Sequence, residues 1–365
     1  MKILLIGEYS NVHATLATGL RQLGHEVTVI SNGDFWKDYP RDIDVSRKPG
    51  KIGGFSLIVR LYTLLPHMHG YDVVQLINPM FFELSAERLF WFYRFLRRHN
   101  GKLVLGAFGM DYYWVHQCIT TKPLRYSDFN FGDQLRNDPE ALRYRSDWTG
   151  TAKERLNRMI AEDCDAIVTG LYEYHVCYAP LFPKKTTFIP YPVTPFPNPS
   201  TDRVQKSKVN IFIGINSERS VYKGTDIMLK AAQEIRDKMP QRTKLNVAES
   251  VPFEQYQQML AKSDILLDQL YAYTPAMNAL LAMSRGIIVV GGGEPENYDI
   301  IHEDQLRPII NVEPSYESVY HELEELVIHP EQIPELKRQS VEYILRHHDT
   351  QKVAEQYESL YRQLI

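Results

Sequence analysis

The chain has 365 residues, 44% hydrophobic and 24% charged, which suits a folded protein of two domains, each large enough for its own core. A formal net charge of −4 argues against a bulk nucleic-acid binder, because the phosphate backbone rewards a basic surface. The three cysteines, Cys118, Cys164 and Cys177, are widely spaced with no CxxC pair, so neither a disulfide framework nor a zinc site is expected, and a reducing, cytoplasmic setting is the simpler reading.

The opening "MKILLIG" is too short for a signal core or a membrane span and reads as a first β-strand. "NVHATLATGLRQLG" (11–24) follows, with Leu16, Leu20 and Leu23 at helical spacing and Gly24 as a natural terminator. "HEVTVIS" (25–31) then closes a βαβ unit, which implies a parallel sheet. Further strands are expected at 72–77, 102–108 and 166–170, with helices at 84–99 and 151–163 between them. The helical stretch "LFWFYRFLRRHNGK" (89–102) mixes aromatics with arginines. It either buries its rings against the sheet or lies on a membrane surface, which makes peripheral membrane contact one of two readings.

"PYPVTPFPNP" holds prolines at 190, 192, 195, 197 and 199, which reads as an extended linker. A second alternation follows, with strands expected at 209–215, 243–249, 264–269, 286–292 and 307–312. Helices are expected at 224–238, 253–262, 275–284, 315–327, 330–346 and 350–364. The predicted organisation is a first Rossmann-like domain over 1–193, a linker over 194–208, a second over 209–347, and a C-terminal helix over 348–365 packing back toward the first domain. Two such doubly wound α/β domains facing an interdomain cleft would bind ligands at the carboxyl ends of their strands.

The loops at those ends carry the candidate residues. In "GEYSNVHA", Gly7 permits a close approach, Ser10 or Asn11 is placed to cap the next helix, and His13 is either a cleft-facing base or a packing residue. The spacing is not GxGxxG, so no dinucleotide fingerprint is present. "GAFGMD" brings Gly109 and Asp111, the latter as ligand contact or turn cap. The long aromatic stretch 112–150 is placed to bind an acceptor or act as a lid.

"GINSERSVYKGTD" puts Arg219 and Lys223 four apart, followed by Gly224, in a strand–loop–helix context that suits a diphosphate. In "YTPAMNALLAMSRG" Thr274 is a good cap residue and Pro275 suits the first helical position, with Asn278 one turn on. "GGGEPE" supplies Glu294 and Glu296 as hydroxyl acceptors or as acids opening a helix.

In order and spacing these segments resemble the GT-B glycosyltransferases, and look most like their family-4, retaining branch. "MKILLIGEYSNVHATLATGLRQLGHEVTVIS", "GAFGMD", "YKGTDIMLKAA", "LLAMSRGIIVVGGGEPE" and "DTQKVAEQYESLYRQL" carry the likeness across nearly the whole chain. The resemblance implies a nucleotide-sugar donor on the second domain, with Arg219 and Lys223 at the diphosphate and Gly7, Gly224, Thr274, Asn278, Glu294 and Glu296 lining the donor site. It implies Gly109 and Asp111 on the acceptor side, a glycan or lipid-linked acceptor, a role in cell-surface polysaccharide synthesis, and neither cofactor nor metal.

Two departures stand out. The family's paired glutamates align with Tyr273 and Leu281, and its histidine before Gly-x-Asp aligns with Phe108. They leave open a degenerate, purely binding protein, an inverting transferase with His13 as base, and an epimerase on the same fold.

Overall fold

The computed structural model describes residues 1–201, 208–249 and 251–365, so part of the expected linker, 202–207, lies outside the described residues. The apolar runs form two all-parallel sheets. In the first, β1 (Lys2–Ile6), β2 (Glu26–Ser31), β3 (Ile43–Asp44), β4 (Val73–Leu76), β5 (Lys102–Ala107), β8 (Ala166–Thr169) and β9 (Thr186–Phe188) lie in the order β3-β2-β1-β4-β5-β8-β9. In the second, β10 (Val209–Ile215), β11 (Thr243–Glu249), β12 (Ile265–Leu267), β13 (Ile288–Gly291) and β14 (Ile310–Asn311) lie in the order β11-β10-β12-β13-β14. A short antiparallel hairpin pairs β6 (Asn130–Phe131) with β7 (Gln134–Leu135). Strands buried on both faces read as continuous apolar runs, which is why Ile3, Leu4, Leu5 and Ile6 are all fully buried.

The chain divides into two units. One comprises Met1–Pro123, Arg143–Pro192 and Thr350–Ile365; the other comprises Leu124–Leu142 and Val193–Asp349. The expected unbroken first domain is thus interrupted, because residues 124–142, including the hairpin, pack with the second unit.

In the first unit the helices are α1 (Val12–Gln22), α2 (Gly50–Thr63), α3 (Ala86–His99), α4 (Tyr112–Thr120), α6 (Ala152–Asp163), α7 (Tyr172–Tyr178) and α15 (Thr350–Leu364); α5 (Pro139–Trp148) begins in the second unit and ends in the first. α15 lies against α1 so closely that a β-carbon on Gly19 would fall 2.6 Å from that of Ala354. Among the described residues, no helix is long and apolar enough to cross a membrane. α3 buries Leu89, Phe92, Tyr93 and Leu96, while Trp91, Arg94 and Arg98 stay exposed.

The second unit holds α8 (Ser220–Lys223), α9 (Thr225–Lys238), α10 (Phe253–Leu260), α11 (Met277–Ser284), α12 (Pro295–Ile300), α13 (Tyr316–Ile328) and α14 (Ile333–Tyr343). Its core joins Ile211, Ile213 and Ile265 of the sheet to Met228 and Ile235 of α9 and Leu323 of α13. One ion pair lies inside it. Lys337 Nζ of α14 donates to Asp264 Oδ1 at 2.5 Å, both side chains being nearly inaccessible, and Asp264 Oδ2 accepts from the Asn210 backbone N–H at 3.0 Å. Removing one partner strands a buried charge, so Lys337→Ala is expected to lower unfolding free energy by about 3–5 kcal/mol in denaturant melts. The double variant Lys337→Ala/Asp264→Ala should lose clearly less than the sum of the two single losses.

Candidate functional site

The second sheet reverses its strand order between β10 and β12, and ligands of open α/β sheets bind at the carboxyl ends of strands at such a point. The chain leaving β10 turns at Asn216, whose side chain accepts from the Glu218 backbone N–H at 3.1 Å, and runs through α8. Gly224 then breaks the helix with φ +72°, and a β-carbon there would sit 2.6 Å from the β-carbon of Leu270. The Leu270 N–H donates to the Lys223 carbonyl at 3.0 Å. The loops after β10 and β12 are therefore knitted together, and Lys223 stands beside Asp268 at the end of β12.

Asp268 is a residue that the sequence reading placed in a strand and did not single out. Burial pushes its carboxyl up, and Asn278 and Lys223 pull it back. Asn278 Nδ2 donates to Asp268 Oδ1 at 3.1 Å, while Asn278 Oδ1 accepts from the Tyr256 hydroxyl at 3.1 Å. Arg219 reaches toward Glu140, Nε to Oε2 at 3.7 Å, with its guanidinium 5.3 Å from the Tyr222 ring. Among the described residues its buried Nε–H finds no hydrogen-bond acceptor.

Residues 124–142 lie over this edge. Arg136 Nη2 donates to the carbonyls of Val221 (2.9 Å) and Tyr222 (3.0 Å) in the last turn of α8, and its guanidinium lies 3.7 Å from the Tyr271 ring centre. Asp128 is half-buried close to Arg136, Arg219 and Lys223, and desolvation pushes its carboxyl up against their attraction. Arg125 Nη2 pairs with Glu294 Oε2 at 2.6 Å, and the same guanidinium binds Glu296 through both terminal nitrogens. The Tyr126 hydroxyl donates to Glu294 Oε1. The contacts of Arg125 and Tyr126 with Glu294 and of Arg136 with α8 leave no local signature in the sequence, since they join residues 85 or more positions apart.

Two cap expectations change. Thr274 does not cap α11: the chain bends at Thr274, and the helix starts only at Met277 after an extended Ala276 (φ −82°, ψ 177°). Gly7 (φ +85°) accommodates the protein itself, because a β-carbon there would lie 2.3 Å from Ile77 Cγ2. Neither Ser10 nor Asn11 caps α1. Glu8 does, accepting from the backbone N–H groups of His13 (3.3 Å) and Ala14 (2.8 Å).

His13 is fully buried rather than cleft-facing. Nδ1 lies 2.8 Å from the Gly7 carbonyl and so carries the proton, while Nε2 accepts from Gln75 Nε2 at 3.1 Å, and Gln75 Oε1 accepts from the Tyr361 hydroxyl. Burial lowers the ring pKa to about 3, far below what a general base near neutrality needs. Phe108 packs edge-on to it at 6.4 Å. Asp111 is likewise buried and engaged: Oδ1 caps α4 through the Trp114 N–H at 2.8 Å and Oδ2 accepts from the Tyr178 hydroxyl at 2.7 Å, with burial raising its pKa to about 7. Gly109 packs on the Tyr9 ring, 3.0 Å from where a β-carbon would be. Among the described residues, no group of three or more His, Cys, Asp or Glu side chains is arranged to hold a metal ion, and the three cysteines are free, buried thiols.

The capping carboxyl of Glu8 gives a pH test. Burial raises its pKa from 4.5 to about 8, so ionisation opposes folding as pH rises between those values. Stability from this group is complete below the lower value and lost through the upper one. Glu8→Gln is expected to flatten the fall in melting temperature between about pH 5 and pH 8, leaving the smaller slope that Asp111 contributes.

No known protein-family profile matches the chain, and no curated protein matches it. Solved structures do. Sucrose-phosphate synthase from Thermosynechococcus elongatus superposes with a TM-score of 0.61 at 13% identity, covering 100% of this chain and 99% of that one. Anabaena HepE in complex with UDP and glucose gives 0.59 at 12% identity, covering 100% of both chains. The catalytic domain of starch synthase IV from Arabidopsis thaliana, bound to ADP and acarbose, gives 0.55 at 11%, covering 100% and 99%. Together with the two all-parallel sheets, this likeness establishes that the chain has the GT-B fold, built from two Rossmann-like units.

Proposed function

We propose that the chain is a glycosyltransferase that takes a sugar from a nucleotide-diphosphate donor and passes it to a glycan or lipid-linked acceptor in cell-surface polysaccharide synthesis. The observation that carries this reading is the meeting of Lys223 with the Asp268–Asn278 pair at the strand-order reversal of the second sheet, with Arg219 and Lys223 both acting on Asp128. The Arg219 Nε–H, 3.7 Å from Glu140 and without a hydrogen-bond acceptor among the described residues, is a donor suited to a phosphate oxygen. The solved GT-B structures that bind UDP or ADP support it.

In this reading the bond from the anomeric carbon to the diphosphate breaks, and Arg219 and Lys223 stabilise the negative charge that develops on the leaving oxygen. The acceptor hydroxyl attacks the same face of the oxocarbenium-like sugar and its proton passes to the departing phosphate, giving retention. A retaining course needs no base from His13. Glu296, half shielded and held by an exposed arginine, is the better placed of the two turn carboxylates to accept donor hydroxyls. Glu294 is buried beneath Arg125 and Tyr126.

One observation favours a second reading. Glu140 and Asp128 face the cations, and Arg125 covers the carboxylates, so the protein supplies the charges a donor would bring. A degenerate fold that binds glycan without transfer fits this pattern. Incubation with donor and acceptor pools separates the readings: sugar transfer or slow donor hydrolysis sinks the degenerate one, and product formed without acceptor points to epimerase chemistry.

Thermal-shift screening with UDP, GDP, ADP and CMP should find at least one ligand that raises the melting temperature by mass action. Loss of one charge-assisted contact in Lys223→Ala should weaken that ligand by about tenfold or more in calorimetry. Lys238→Ala, on the exposed end of α9, should leave it unchanged. Equal affinity in wild type and Lys223→Ala would remove the assignment.

A further inference from the structure

α2 is seated in the first unit by Gly53, Leu57 and Leu61, a stripe of buried residues at i, i+4 and i+8. The opposite stripe should be polar in a helix whose other face meets water. Instead it holds Ile52, Phe55, Val59 and Tyr62 at i, i+3, i+7 and i+10, exposed by 85%, 69%, 48% and 47%. The surface continues onto α3. The Tyr62 ring lies 4.9 Å from Trp91, itself 43% exposed, and Trp91 stacks on Phe95 at 5.7 Å. A contiguous apolar patch of this kind marks an interaction site rather than scattered surface residues.

The charges around the patch identify what meets it. Residues 47–63 contain Arg47, Lys48, Lys51 and Arg60 and no acid; residues 86–99 contain Arg88, Arg94, Arg97, Arg98 and one acid, Glu87. Arg60 reaches Asp44 at 3.5 Å and Arg97 is engaged by Asp163 and Asp165, which leaves six other basic side chains in these two segments: Arg47, Lys48, Lys51, Arg88, Arg94 and Arg98. This concentration sits on a chain of net charge −4. A second copy docking through the same face would oppose like charges. A planar anionic surface instead takes apolar side chains into its interface and cations at its phosphates.

We propose that the exposed stripe of α2, with Trp91 and the arginines of α3, docks on an anionic lipid bilayer, α2 lying in the plane of the interface. The rings buried by α3 belong to the core, and α2 supplies the insertion face. This inference does not depend on the nucleotide site.

The test uses the full chain and sedimentation with phosphatidylcholine vesicles, with and without phosphatidylglycerol. Binding is expected only with phosphatidylglycerol and should fall as salt rises. Phe55→Ser/Val59→Ser should lose tenfold or more in vesicle affinity, and Arg94→Glu/Arg98→Glu should lose a similar amount. Both variants should keep the wild-type melting temperature, because the changed side chains are exposed. Failure to sediment with either vesicle would overturn the proposal. So would concentration-dependent dimerisation that Phe55→Ser/Val59→Ser abolishes, which would assign the face to a second copy, or equal vesicle affinity in wild type and both variants.

Discussion

In the second unit, the arrangement of the candidate site follows from the reversal of strand order between β10 and β12. At that point successive crossovers leave on opposite faces of the sheet, so the loops after the two strands diverge around a crevice. Gly224 lets those loops touch at Leu270, and the Leu270 N–H to Lys223 carbonyl bond fixes them. Lys223 is thereby held beside Asp268, and Asp268 orients Asn278. A larger residue at Gly224 would meet Leu270 and demand an unfavourable backbone, so the local geometry and the site's charge pattern rest on one glycine.

The second consequence is electrostatic. Cations and carboxylates gathered at one buried edge must be compensated, and here the compensation comes from the chain itself. Asp128 and Glu140 face the cations, and Arg125 bridges Glu294 and Glu296. All three come from residues 124–142, a stretch of the first half of the sequence that packs with the second unit. A bound diphosphate would replace carboxylates that already occupy the field of Arg219 and Lys223. Affinity for a donor is then a difference between two sets of ionic contacts, and the exposed members of the resident set are the weaker ones.

Both sheets and their parallel sense were legible because doubly buried strands leave continuous apolar runs, and the cation loop was legible because strand, glycine and charge coincide in one stretch. The failures have separate physical causes. Thr274 looked like a cap, but the chain bends there and runs on through an extended Ala276, so α11 begins only at Met277. Of the two readings of His13, base or packing residue, its place three residues before Leu16 and seven before Leu20, on the helix face that enters the core, favours packing; the periodicity carried its burial. α2 was missed because Gly50, Gly53 and Gly54 depress helix propensity and its apolar residues divide between two faces. Gly53 is there because a β-carbon would fall 1.8 Å from the Lys48 carbonyl oxygen. The Arg125 bridge had no local trace, since it joins residues 169 and 171 positions apart.

The central claim is that the edge around Lys223 holds a nucleoside diphosphate. Hydrogen exchange of the full chain, with and without each nucleotide, tests it most directly. The account expects added protection in 216–224 and 268–278 with the nucleotide that binds. Protection confined to other segments, or no change with any nucleotide, would contradict it.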